Sequence, residues 1–167
     1  PEYAQMGMWP GDEHYQRRYE YAGEYVQILQ ALWRDGRATW EGEYFQLEDC
    51  SVLPQPKREI PLVCAGQSPA GRQFVAEYAD HQFVLTSEDN LVTSVKDIRA
   101  KAESTGRDVG IYALFHLIVA DTDEQARTEV DAIIDGADHG AISNILASAD
   151  LDTNTGGTAD QLKAALN

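Results

Sequence analysis

The chain has 167 residues, of which 43% are hydrophobic and 25% are charged, and its formal net charge is −15. This length suits one domain with a hydrophobic core, and the composition is ordinary for a globular protein. Because 28 acidic residues outnumber 13 basic ones, nucleic acid and membrane surfaces are poor partners. The simplest interpretation of this net negative charge is that it keeps the protein soluble.

The two cysteines and the absence of a long apolar run indicate which cellular compartment the protein fits. Cys50 and Cys64 have no Cys-x-x-Cys spacing, which predicts neither a disulfide framework nor a zinc site and fits a reducing, cytoplasmic compartment. No apolar run approaches the roughly 20 residues that cross a bilayer, and no signal peptide is visible. Pro1 is not an initiator Met, and Asn167 interrupts a helix-like run, so we expect an internal piece of a larger protein.

The first part of the chain predicts a loop and then one long helix. After a loop over residues 1–11, Asp12 is the predicted N-cap of a helix over about 13–34, and Gly36 is predicted to end it. Spacings of three and four between apolar side chains predict one buried stripe. The stripe consists of Tyr15, Tyr19, Ala22, Val26, Leu29 and Trp33.

A hairpin and an extended segment are predicted next. β-Favouring residues on both sides of a Glu41-Gly42 turn predict a hairpin over about 38–48, inserted into the main fold. Glu48 and Asp49 are predicted to be a solvated pair after it. The prolines that follow predict an extended, non-helical path. They are Pro54, Pro56 and Pro61.

The remainder alternates between short apolar strands and amphipathic helices. Strands are predicted over 62–65, 81–85 and 111–119, helices over 69–79, 91–104, 123–135 and 137–149, and a polar loop over 152–158. Thr122 and Gln125 form a capping-box signature at the start of the third of these helices. Such alternation is typical of βα units and a parallel sheet, so the fold class is α/β. Three strands cannot close a barrel, so the pattern alone leaves a (β/α)₈ barrel and a doubly wound sheet open.

The sharpest chemical signal lies where the first of these strands passes into a helix. In Cys64-Ala65-Gly66-Gln67-Ser68-Pro69-Ala70-Gly71, Ser68 is a natural N-cap and Pro69 suits the first helical position. Gly66 lets the backbone approach a ligand, and the positive end of the helix dipole favours an anion. An ordinary capped helix start without a ligand is the alternative that this motif leaves open.

Arg18 and Tyr19 form a second signal, and the histidines form a weaker one. A guanidinium can bind a phosphate with two parallel hydrogen bonds and a tyrosine hydroxyl can add one, although a solvated arginine beside a core tyrosine fits equally. Among His14, His81, His116 and His139, only His116, within the nearly continuous apolar third strand, is predicted to have an interior role, most simply as a core histidine. No metal-ligand or nucleophile pattern occurs, so the sequence predicts neither.

Several motifs in a shared order resemble the luciferase-like flavin monooxygenases, most closely the pyrimidine (uracil) monooxygenases, over about residues 1–120. They are Pro1-Glu2-Tyr3, Met6-Gly7-Met8-Trp9-Pro10-Gly11-Asp12, Arg17-Arg18-Tyr19, Glu24-Tyr25-Val26, Leu32-Trp33, Gly42-Glu43-Tyr44-Phe45, Asp49-Cys50, Cys64-Ala65-Gly66-Gln67-Ser68, Tyr78-Ala79-Asp80 and Thr105-Gly106-Arg107-Asp108-Val109-Gly110. Colinear motifs at matching spacing are more specific than any one alone.

This resemblance implies the fold, the cofactor and the site. Residues 1–167 would form a single incomplete (β/α)₈ TIM barrel domain that lacks its N-terminal half, with FMN at the C-terminal mouth of the strands. Glu2, Arg18, Tyr19 and Ser68 match cofactor-contacting positions of the pyrimidine monooxygenases. The last three suit the phosphate, whereas Glu2 would contact the ribityl hydroxyls or the ring.

The implied reaction is insertion of oxygen from O₂ into a small substrate by reduced FMN, which a separate NAD(P)H-dependent flavin reductase would supply. A homo-oligomer is expected for the intact enzyme. No catalytic residue is assigned, because the residues that flank the ring in this family lie mostly in the half that precedes Pro1. An incomplete barrel also leaves sheet edges uncovered, so marginal stability is expected for the piece alone.

The chain departs from the pyrimidine enzymes at two places, which keeps other functions open. Leu85-Thr86-Ser87-Glu88-Asp89-Asn90 stands where those enzymes carry a glycine-and-lysine loop, and residues 137–167 match weakly. A sulfonate, a sulfone or another small heteroatom compound is therefore an alternative to uracil. A deazaflavin-dependent hydride transfer and a non-catalytic flavin-binding accessory protein are further alternatives.

Overall fold

A computed structural model describes residues 6–8, 10–149 and 163. The helices in this part are α1 (Asp12–Gln16), α2 (Arg18–Asp35), α3 (Pro69–Tyr78), α4 (Glu88–Ser104), α5 (Asp123–Asp135) and α6 (His139–Ala149). The strands are β1 (Arg37–Glu41), β2 (Gln46–Ser51), β3 (Val63–Cys64), β4 (His81–Leu85) and β5 (Gly110–Leu114). The polar loop predicted over 152–158 lies outside the described residues.

The single helix predicted over 13–34 is in fact two helices that meet at Arg17. Backbone angles of φ −94° and ψ 11° at Arg17 interrupt the helix, and its guanidinium contacts both Glu20 and Glu43 at 2.7 Å. The predicted N-cap is wrong, because Gly11 holds that position with φ +100°, a conformation that glycine adopts easily. The predicted end is confirmed: Gly36 is left-handed and its N–H donates to the Leu32 carbonyl.

Helix α2 buries two faces, whereas the sequence predicted one stripe. Val26 from the predicted stripe is buried, but Ile28 and Leu32, which lie off it, are buried as well. These two residues form a small core with Ala38 of the hairpin. The prediction was incomplete because a helix packed between two partners needs two apolar faces, and the second partner is remote in sequence.

The hairpin consists of antiparallel β1 and β2, joined through residues 42–45. The Gly42 N–H donates to the Phe45 carbonyl at 2.9 Å, so Phe45 lies in the connection and not in the strand. The prediction that Glu48 and Asp49 follow the hairpin is wrong, since both lie inside β2. Asp49 has φ +52° at an irregularity in the pairing, and its carboxylate contacts Arg37 Nε at 2.7 Å.

Glu24 of α2 fastens the hairpin to the helix. Its carboxylate accepts hydrogen bonds from Trp40 Nε1 at 2.9 Å, from the Tyr44 N–H at 3.0 Å and from the Phe45 N–H at 2.8 Å. Partial burial opposes ionisation, but these donors outweigh it and hold the Glu24 pKa below its usual value. The ionised carboxylate is therefore part of the hairpin's attachment.

The Glu24→Gln variant is expected to lose part of the protein's acid sensitivity. Because the folded-state pKa is lowered, Glu24 stabilises the fold above its unfolded pKa of about 4.3, and this contribution disappears as pH falls through the folded pKa. Thermal denaturation between pH 7 and pH 2.5 should show a shallower decline for Glu24→Gln than for the wild type. The exposed Glu41→Gln is the control, and an equal flattening in both variants would contradict the assignment.

The second sheet has the order β3-β4-β5, and all its strands are parallel. Helices α3 and α4 cover one face, where Val75, Ile98 and Val109 form the core with alanines of both helices. Cys64 of β3 and Ile111 of β5 pack against this core from the sheet. The predicted parallel α/β arrangement is confirmed.

Two predicted strands are shorter in the structure. Only two residues of the stretch 62–65 form β3, and β5 ends at Leu114 although the apolar run continues to Val119. The strand pairing explains why β5 ends at Leu114. Its neighbour β4 stops at Leu85, opposite Leu114, and offers no partner for the residues that follow. Residues 115–119 therefore leave the sheet, and Leu117 is 84% exposed.

His116 is exposed beyond the end of β5, whereas His81 of β4 is half-buried. The ring of His81 stacks on Tyr112 with centroids 4.6 Å apart. The predictions for α3 and α5 are confirmed within one residue, and α4 begins three residues before its predicted start. The interior role assigned to His116 failed because it assumed that the whole apolar run was a strand.

Candidate functional site

The junction between β3 and α3 has the geometry of a capped helix start. Ser68 is extended, with φ −66° and ψ 161°, and its Oγ accepts a hydrogen bond from the Gly71 N–H at 3.1 Å. Pro69 occupies the first helical position, where a missing N–H costs nothing. The N-terminus of a helix carries a partial positive charge, which favours an anion at this place.

Two glycines let the loop fold tightly against the first turn of α3. A Cβ added to Gly66 would lie 2.8 Å from the Gly71 Cα, and the reverse contact is equally short. Such distances exclude any side chain at either position without movement of the backbone. The same Cβ on Gly71 would lie 2.8 Å from the Tyr19 hydroxyl oxygen, so this hydroxyl reaches the start of α3.

Helix α2 positions Tyr19 by packing directly on α3. The Tyr19 ring lies 5.6 Å from that of Phe74, and a Cβ added to Gly23 would lie 3.0 Å from the Tyr78 hydroxyl. The absence of a side chain at Gly23 thus allows the close approach of the two helices. These contacts hold the first half of α2 against α3.

Arg18 lies against the same tyrosine. Its guanidinium carbon is 4.8 Å from the Tyr19 ring centroid and 4.3 Å from that of Tyr15, and Nη1 donates to the Tyr15 carbonyl at 2.6 Å. A guanidinium has five N–H donors, so one Arg can serve several acceptors. Of the four residues predicted to contact the cofactor, the structure brings the Tyr19 hydroxyl to the start of α3, which Ser68 caps, and places Arg18 against the Tyr19 ring. Glu2 lies outside the described residues.

Two residues that the sequence reasoning missed hold the loop between Gly66 and Ser68. Gln82 of β4 donates from Nε2 to the Gly66 carbonyl at 2.8 Å, and Arg72 donates from Nε to the Gln67 carbonyl at 2.9 Å. Arg72 also contacts Asp97 of α4 at 2.8 Å. The available signal was Gln82 itself, an uncharged polar residue inside an apolar strand.

The surroundings of this loop favour binding over nucleophilic chemistry. Burial raises the pKa of the Cys64 thiol at the end of β3, and Asp80 raises it further, so the thiol stays protonated at neutral pH. Cys50 and Cys64 are both free. Within residues 6–8, 10–149 and 163, no group of His, Cys, Asp and Glu could hold a metal ion, and no helix is long and apolar enough to span a membrane.

Two clefts elsewhere in the described part of the chain differ from each other in charge. One of about 720 Å³ is lined by Asp121, Glu124 and Glu129, whose carboxylates repel a phosphate. Another of about 510 Å³ contains four basic residues, of which Arg34 is paired with Asp35 and Arg107 with Asp80. The other two are Lys57 and Arg58. The start of α3 differs from both in offering helix-start N–H groups together with the Tyr19 hydroxyl beside Gly71.

The parallel βα units define an α/β protein, and a strand that leads through a glycine-containing loop into a capped helix start is typical of phosphate-binding sites in such proteins. The family model described as luciferase-like monooxygenase matches residues 1–165, so the chain belongs to that family. This match also covers residues 137–165, which the motifs in the sequence supported weakly.

Curated relatives that match the chain include pyrimidine monooxygenases named RutA. The protein of Acinetobacter baylyi is 46% identical over 160 residues, which are 93% of this chain and 43% of that protein. The protein of Methylorubrum extorquens strain PA1 shows the same identity and the same coverage. The chain thus spans less than half the length of these relatives.

Solved structures of the same fold include a riboflavin lyase, RcaE, and an EDTA monooxygenase, EmoA, from Chelativorans. The first has a TM-score of 0.73 at 22% identity over 88% of this chain and 38% of its own. The second has a TM-score of 0.69 at 19% identity over 98% of this chain and 45% of its own. The described residues therefore have the fold of one part of a luciferase-like barrel, which confirms the predicted fold class.

Proposed function

We propose that the complete protein is a flavin-dependent monooxygenase that inserts oxygen from O₂ into a small substrate such as a pyrimidine. In this proposal Arg18, Tyr19 and Ser68 bind the phosphate of FMN, and Glu2 contacts the ribityl hydroxyls or the flavin ring. The observation that carries the site assignment is the place of the Tyr19 hydroxyl beside Gly71, since it brings the start of α2 to the start of α3. Family membership supports the reaction class.

The residues present fit a phosphate dianion. Because Gly66 and Gly71 pack tightly, the surface at the helix start is formed by backbone atoms and not by side chains. The hydroxyls of Ser68 and Tyr19 can each donate a hydrogen bond. Arg18 adds a positive charge in a chain of net charge −15. Reduced FMN would supply the electrons that activate O₂, while these residues anchor and orient it.

We further propose that residues 1–167 form a single incomplete barrel domain that an N-terminal half would complete. The sheet face turned away from α3 and α4 supports this, because its apolar side chains are about half exposed. They are Val63, Leu85, Tyr112 and Leu114. The flavin ring would then lie mostly against the other half, so we assign no catalytic residue to this one.

The substrate and the partners are proposed from the relatives. The curated relatives are named for pyrimidines, which makes uracil the first candidate, and a short sulfonate or sulfone is the second. The residues after β4, Thr86 and Ser87, lie at the strand end where substrate contacts are expected in barrels. A separate NAD(P)H-dependent reductase would provide reduced FMN, and a homo-oligomer in the cytoplasm is expected.

The Ser68→Ala variant tests the phosphate site through the difference between FMN and riboflavin, which lacks the phosphate. We expect the dissociation constant for FMN to rise about tenfold, which is the loss of one hydrogen bond to a charged group, while that for riboflavin stays within about twofold. Titration of flavin fluorescence in the complete protein measures both constants. Arg18→Ala should produce a larger loss with the same selectivity.

Thr122→Ala is the matched control, because Thr122 caps α5 by accepting from the Gln125 N–H at 3.2 Å. Both variants lose about 0.5–2 kcal/mol of helix capping, but only Ser68→Ala should discriminate between the flavins. If Ser68→Ala binds each flavin as tightly as the wild type does, Ser68 is not part of the site.

Substrate-stimulated O₂ consumption in the presence of a reductase tests the reaction. Its absence despite tight FMN binding would favour an accessory protein.

A further inference from the structure

Gln82 is a buried polar residue that the proposed cofactor contacts do not use. Its side chain is 1% exposed on the helix-facing side of β4, and the next residue on that side is the equally buried Val84. Nε2 donates to the Gly66 carbonyl, but Oε1 is buried without a partner among the described residues. A buried amide oxygen without a partner costs free energy, so the residue is better explained by the hydrogen bond with which it holds the loop.

The effect follows from the geometry of the peptide unit. In a planar trans peptide the C=O and the next N–H point in opposite directions. Gln82 holds the Gly66 carbonyl, which turns the Gln67 N–H away from Gln82. Arg72 holds the Gln67 carbonyl in the same way, which turns the Ser68 N–H away from Arg72.

Neither of these two amides donates to another backbone group in the part of the chain that the structure describes. Both precede α3, whose dipole already favours an anion at this point. If the carbonyls were free to rotate, the loop could present oxygens, which repel a phosphate. Consecutive outward N–H groups are a known basis for anion binding by backbone.

We propose that Gln82, together with Arg72, is a positioning residue for the loop before α3. The two side chains fix the orientation of the loop peptides so that the N–H groups of Gln67 and Ser68 donate to the FMN phosphate. This inference rests on the phosphate site of the proposed function. Gln82 does not touch the cofactor in this account. It acts through the Gly66 carbonyl.

The Gln82→Met variant of the complete protein tests this role, since Met preserves length and apolar bulk but has no donor. We expect the FMN dissociation constant to rise about tenfold and the riboflavin constant to stay within about twofold. Val84→Ala is the matched control, because it opens a cavity on the same face of β4 without reaching the loop. It should lower the melting temperature and leave the ratio of the two constants unchanged.

Equal weakening of both flavins by Gln82→Met would show a merely structural role and overturn the inference. If the wild type itself binds FMN and riboflavin equally, the phosphate site fails, and the inference fails with it. Arg72→Lys provides a second variant that keeps a positive charge opposite Asp97 and removes the Nε donor. It should weaken FMN binding selectively, and unchanged selectivity in this folded variant would also contradict the proposal.

Discussion

The Gly71→Ala variant is expected to lose most of the preference for FMN over riboflavin and about 1–3 kcal/mol of stability. The added Cβ would lie 2.8 Å from both the Gly66 Cα and the Tyr19 hydroxyl, which is too close for either to remain in place. Relief of this contact separates the loop from α3 and pushes the Tyr19 hydroxyl out of the proposed phosphate site. Flavin titration and urea denaturation measure the two effects.

Gly140→Ala is the control for this substitution. Gly140 lies in α6, and a Cβ there would meet only the Asp138 side chain, at 3.1 Å. Alanine has the higher helix propensity, so this variant should be neutral or slightly more stable, with unchanged flavin binding. A Gly71→Ala protein that binds FMN as the wild type does would show that the contact between the loop and α3 is not needed.

The Ile98→Ala variant is expected to lower the free energy of unfolding by about 2–5 kcal/mol. Ile98 of α4 is 0% exposed and packs in the core that joins α3, α4 and the sheet. Its truncation leaves a cavity beneath α3, the helix that begins at Ser68. Urea denaturation followed by circular dichroism gives the change in free energy for a two-state transition.

Val92→Ala tests whether that loss comes from the core. Val92 belongs to the same helix but is 58% exposed, so its truncation should change stability by no more than about 0.5 kcal/mol. Similar losses in the two variants would contradict the packing described for α4. Flavin binding by the folded fraction of Ile98→Ala should stay close to that of the wild type, because Ile98 does not contact the site.

Elements governed by neighbouring residues could be predicted from the sequence. Ser68 and Thr122 each accept a hydrogen bond from an N–H three residues later, and Gly36 ends α2 in a left-handed conformation. These features depend on side-chain oxygens and backbone freedom within one helical turn, which the local sequence specifies. The resemblance to a family added the expectation that Arg18, Tyr19 and Ser68 act together, which no local pattern contains and which stays a prediction.

The features that were missed depend on contacts between distant segments. The break at Arg17 brings its guanidinium to Glu43 in the hairpin, and Ile28 is buried only because the hairpin packs there. The end of β5 at Leu114 is set by the end of β4, and not by the apolar run that continues to Val119. Local periodicity carries no information about such partners, because it records the pattern of one segment alone.

The sequence by itself determined the βα order, the helix caps at Ser68 and Thr122, and the kinship with luciferase-like monooxygenases. Only the tertiary structure decided that the Tyr19 hydroxyl lies against Gly71 and that Gln82 holds the loop beside it. The physical reason is the range of the interactions. Caps and turns are completed within a few residues, whereas a binding site needs groups from separate helices and strands whose distances are fixed only when the core packs.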